Sequence, residues 1–65
     1  MDRQILDHLH SKLEERRVEL VDFLGRGNAT TYDAYKELCG QIRGLQSAQT
    51  EIADLVRRMK EINDD

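Results

Sequence analysis

Proline and tryptophan are absent from this sequence, phenylalanine and cysteine occur once each, and tyrosine twice. Without proline nothing in the chain is obliged to break a helix. With Cys39 as the only cysteine, no intramolecular disulfide can form, and the expectation for a lone thiol is a small apolar packing residue. No apolar run approaches the roughly 18 residues that cross a bilayer, and nothing resembles a signal peptide. A soluble chain made inside the cell is therefore expected. A one-sided charge is also missing: ten basic and thirteen acidic residues leave a net charge of −3. Arg16-Arg17 sits beside Glu14-Glu15, and Arg57-Arg58-Lys60 is framed by Asp54 and Glu61. A nucleic-acid binder needs a basic stripe, so no direct nucleic-acid partner is expected, and the acidic excess is too mild for a DNA mimic.

What remains is rich in Leu, Glu, Arg, Lys, Gln and Ala, the residues of long helices. Charged residues make up 35% of the chain, a density that also suits disorder. The apolar residues recur at helical spacing, however, and that favours folding. From about residue 2 to 24, Leu6, Leu9, Leu13, Leu20 and Leu24 follow three- and four-residue steps, with Ile5, Val18, Val21 and Phe23 beside them. That is one amphipathic helix. Residues 25–30 then carry Gly25, Gly27 and Asn28, which tolerate positive φ and stop helices. Thr30 or Thr31 can cap a second helix, with Asp33 in its first turn. A connection this short sets the helices antiparallel.

The second helix is expected from about residue 31 to 63. One core position of its heptads holds Tyr35, Ile42, Gln49, Val56 and Asn63, and the other holds Leu38, Leu45, Ile52 and Met59. Such a seam has coiled-coil character, and a polar residue inside it, here Gln49, can fix register or partner number. The fold class is all-α, a two-helix antiparallel hairpin with a longer second helix, forming a single unit over residues 1–65. A domain this small rarely gains more than about 3–5 kcal/mol from its core alone.

Folding back directly from the loop puts Leu24 near Thr31 and Arg3 near Ile52. On that count everything after Ala53 overhangs, with Leu55, Val56, Met59 and Ile62 uncovered. Burying each such side chain is worth about 1.5–3 kcal/mol, so a second copy or another protein should shelter them. Gly40 and Gly44 pose a related question, since a glycine inside a helix costs about 1 kcal/mol relative to alanine. With Ala48 they form a small-residue stripe that would let another backbone approach. The plainer alternative is that they only tolerate a bend or solvent exposure. The expected partner interface therefore comprises Gly40, Gly44, Ala48, Ile52, Leu55, Val56, Met59 and Ile62.

Chemistry has few candidates. His8 and His10 fall on different helix faces, which does not suit a shared metal site. Cys39 as a nucleophile would need a base and a cleft. The Gly-Arg-Gly-Asn turn lacks the strand and the Lys-Ser/Thr pair of a phosphate loop. Tyr32 and Tyr35 are expected to cap the core over the loop, and Arg57-Arg58 to form a solvated face. No catalytic residue, metal or cofactor is expected, nor a small-molecule substrate; the partners are proteins.

Tyr32 and Tyr35, then Leu38-Cys39-Gly40, Ile42-Arg43-Gly44-Leu45, and Ile52 with Asp54-Leu55 form an ordered pattern. It resembles one found in small proteins of tailed bacteriophages. The first helix lies outside the match. The resemblance implies a virion component made in the host cytoplasm, placed at the capsid or at the portal and head–tail junction, and it brings no catalytic residues. The alternative functions are a phage-encoded protein that binds and inhibits a host enzyme, and a free-standing homo-oligomeric bundle.

Overall fold

The computed structural model describes residues 3–62, with Ile62 described by its backbone alone. Helix α1 runs Arg3–Gly25 and helix α2 runs Tyr32–Ile62. They lie against each other as an all-α hairpin, a rod measuring 53 × 15 × 14 Å. Ion pairs one turn apart line both helices: exposed Arg3–Asp7, Lys12–Glu15 and Arg16–Glu19 on α1, and Arg58 with half-buried Asp54 on α2. Each adds a few tenths of a kcal/mol to helix formation.

The turn is built from specific hydrogen bonds. Arg26 N–H donates to the Asp22 carbonyl and Gly27 N–H to the Leu24 carbonyl, each at 3.0 Å. Gly27 has φ 78°, a left-handed conformation that glycine adopts without Cβ strain. The Asn28 side-chain amide donates to the Phe23 carbonyl at 3.2 Å, satisfying an acceptor that the helix end leaves open. Across the turn, the Thr31 hydroxyl accepts from Ala34 N–H at 3.0 Å. Of the two threonines, Thr31 is thus the cap of α2. Arg26 and Asp22 close the C-terminal end of α1 with an ion pair at 3.0 Å.

The seam between the helices contains Leu6 and Leu20 as its buried apolar residues, with Leu13, Leu24, Leu38, Ile42, Leu45, Ile52, Val56 and Met59 half-buried around them. Its register differs from the direct fold-back. Gln49 faces Glu14, and stepping equally along both helices from this pair brings Asp7 level with Val56. Asp7, His10, Ile52, Ala53 and Val56 line one depression. At the other end Phe23 shares a depression with Ala34, Leu38 and Gln41. The open end of α2 therefore lies along the start of α1, and most of the extra length projects at the loop end, by about 9 Å at 1.5 Å per residue.

The expected overhang after Ala53 is corrected accordingly. Val56 and Met59 are half-buried, and Leu6, at 3% exposed, is the most buried apolar side chain. The fold-back count assumed that Leu24 stands opposite Thr31. Instead the Gln49–Glu14 pair sets Gly25 level with Leu38, so the first turns of α2 run on beyond the end of α1, where Asn28 and Ala29 of the loop share a depression with Ala34. Those projecting turns hold Tyr32 and Tyr35, and they do not cap the core. Tyr32 is 71% exposed, and the two rings stack on each other with centroids 6.5 Å apart.

Candidate functional site

A polar bridge crosses the seam near its middle. Gln49 is 8% exposed, and its side-chain amide donates to Glu14 Oε2 at 3.2 Å. The other Glu14 oxygen accepts from Arg17, one turn along α1. These two hydrogen bonds, Arg17 first and Gln49 second, hold the Glu14 carboxyl below the usual carboxylate range. An apolar seam tolerates a one-residue slide at modest loss, whereas a slide here would strand a buried amide, at about 1–3 kcal/mol. Gln49 thus has the geometry of a register lock between α1 and α2.

Near the loop, Tyr35 and Cys39 face each other one turn apart. The hydrogen bond to Cys39 is the first cause that raises the Tyr35 hydroxyl above its ordinary pKa. Cys39 is half-buried and free, and Lys36 Nζ lies 5.5 Å from the centre of the Tyr32 ring. His8 is exposed, while His10 lines the depression beside Val56. Among the described residues no group of three His, Cys, Asp or Glu side chains is placed to hold a metal ion. A depression lined by Thr50, Glu51, Ala53, Asp54 and Arg57 is the flank of a single helix and not a cleft. Arg57 and Arg58 both reach Asp54 on that helix.

The residues expected at a partner interface divide into two sets. Ile52, Val56 and Met59 turn toward α1 and are half-buried by it, and Ala48 lies at the edge of the seam. Gly40, Gly44 and Leu55 face outward. A Cβ placed on Gly40 or Gly44 meets nothing within 4 Å, so neither glycine serves a close approach inside the hairpin. The side chain of Ile62 lies outside the described residues.

The larger apolar surface is on α1. Ile5 is 60% exposed and Val18 52%, and Leu9, Val21 and Phe23 are exposed as well. Counting Tyr32, Tyr35 and Leu55, eight large hydrophobic side chains face solvent among the described residues, against two that are buried. A single helix–helix contact covers only one stripe of each helix, and α1 carries apolar residues well beyond one stripe. Following the leucine steps alone hides this surface. The signal for it was the breadth of the apolar arc, with Ile5, Val18, Val21 and Phe23 falling beside the leucine line.

Compared with known proteins, the chain matches no family model, no curated sequence and no solved structure.

Proposed function

We propose that this chain is a non-enzymatic structural protein of a tailed-phage particle, a small helical hairpin that binds in multiple copies at the capsid or at the portal and head–tail junction. The observation that carries the binding role is the excess of exposed over buried large apolar side chains, eight against two among the described residues. Large exposed apolar patches mark interaction sites on soluble proteins, and Ile5, Leu9 and Phe23 share one edge of α1. A rod 53 Å long and about 15 Å wide presents these side chains along its length, the shape of a docking element between larger subunits. Placement in the particle rests on the ordered pattern from Tyr32 to Leu55 and its likeness to phage proteins.

Mass spectrometry of purified particles tests the placement. The chain should be present at a fixed copy number that survives washing in high salt. Its absence from particles, combined with recovery on one host enzyme from infected cells, would overturn the structural role in favour of an inhibitor.

A further inference from the structure

Two edges flank the α1–α2 seam, and they differ. Helical residues advance by about 100° each, which places Ile5, Leu9 and Phe23 on one edge of α1 and Val18 and Val21 on the other. Phe23 shares its depression with Ala34, Glu37 and Gln41 of α2, which identifies the edge of α2 on the same side. Along that edge every seventh residue is Ala34, Gln41, Ala48 and Leu55. None is charged, in a chain whose charged fraction is 35%. The opposite edge of α2 holds Cys39, Gln46, Ala53 and Lys60. One side of the hairpin thus carries an uncharged line of residues on α2, with Glu37 and Glu51 beside it, and exposed Ile5, Leu9 and Phe23 on α1.

The rod exposes more surface than a compact chain of its mass. A compact monomer of 7.6 kDa exposes about 4,300 Å², whereas this chain exposes 5212 Å². A standard protein interface takes about 800 Å² from each partner, an area that a surplus of about 900 Å² can supply.

We propose that a second copy of this chain covers the Ile5–Leu9–Phe23 side, related by a two-fold axis along the length of the rod, to form a four-helix bundle with both loops at the same end. The proposal rests on the reading above that the chain acts in multiple copies, and it names the first partner.

Charge selects this arrangement. With the loops at opposite ends, α1 would lie on α1, setting Lys12 and Arg16 against the same cations of the second copy. With the loops together, α1 lies on the partner copy's α2. Residues level within one hairpin then meet between copies, so Ile5 and Leu9 reach the zone of Leu55, and Lys12 comes level with Glu51. Glu51 makes no ion pair among the described residues, and Lys12 pairs only with exposed Glu15 at 3.4 Å. Arg16 comes level with Gly44 and Ala48, whose missing side-chain bulk leaves room for its long stem.

Sedimentation equilibrium on the full chain at micromolar concentration tests the proposal. The wild type should sediment at twice the chain mass. Leu9→Glu should raise the dimer dissociation constant at least 100-fold, and Val18→Glu should leave it within about threefold. Lys12→Glu and Glu51→Lys should each weaken dimerisation, and the double variant should restore it. Should Leu9→Glu unfold the chain, the charge exchange, made between two exposed positions, still decides. A wild-type monomer throughout, a trimer, a dimer broken by Val18→Glu and not by Leu9→Glu, or no restoration in the double variant would each overturn it. Particle proteomics is indifferent to these results: a dimer absent from particles removes the virion role alone, and a monomer found in particles removes the dimer alone.

Discussion

Replacing Val56 with aspartate separates the observed register from a hairpin whose second helix runs free beyond Ala53. In the structure Val56 is half-buried and lines a depression with Asp7 and His10 of α1. Losing about half of a valine's burial removes roughly 1–1.5 kcal/mol. Placing a carboxylate in the vacated position, close to Asp7, adds about 1–3 kcal/mol of desolvation and repulsion. The expected destabilisation is therefore about 2–4 kcal/mol. For a chain of this length the unfolding entropy is about 0.14 kcal/mol per kelvin, so the melting midpoint should fall by roughly 15–30 °C. Val18→Asp, on the outer edge of α1, should change hairpin stability by less than about 1 kcal/mol. The assay is thermal unfolding followed by circular dichroism at matched, low protein concentration. An unchanged midpoint and helical signal in Val56→Asp would refute the register, because residues 53–62 would then not be lying on α1.

The remaining predictions follow from single groups. Glu14 has a folded-state pKa below its unfolded value because Arg17 and Gln49 bond its charged form. Its contribution is therefore present above the unfolded pKa of 4.5 and lost as pH falls through the folded value. Glu14→Gln should flatten the acid side of the midpoint-against-pH curve, and an identical curve would remove Glu14 from the seam. Gly27→Ala, at φ 78°, should lower stability by about 1 kcal/mol in a denaturant titration, and a neutral result would mean that the turn is not left-handed. At a concentration too low for association, Gly44→Ala should stabilise the hairpin by up to about 1 kcal/mol, since the added Cβ meets nothing within 4 Å. A loss of stability at that concentration would mean that the glycine is packed within the hairpin itself.

The hairpin and its turn were legible because their signals are local: glycine and Asn28 at the break, a threonine cap, and uninterrupted helical spacing on both sides. The register was not. It depends on how far the chain travels between Phe23 and Ala34, and a six-residue loop permits more than one answer. Gln49 was recognisable as a polar residue in the seam, but its partner Glu14 lies on another helix and carries no pattern of its own. The interface residues expected on α2 divided for the same reason: Val56 and Met59 were assigned to an overhang that the register closes, and Ile52 lies in the same seam, while Gly40, Gly44 and Leu55 stayed outside. The broad apolar arc of α1 was in the sequence throughout. Its outward direction became visible only once Leu6 and Leu20 were seen to form the single covered stripe.

The central claim is that one helix–helix seam is too small a core for this chain, so that folding and association are coupled. Thermal unfolding measured across a hundredfold range of protein concentration tests it most directly. Mass action raises the midpoint of an associating protein as concentration rises, and the account predicts a clear upward shift over that range. A cooperative transition whose midpoint stays fixed at every concentration would contradict it, because the hairpin would then be sustaining its fold alone.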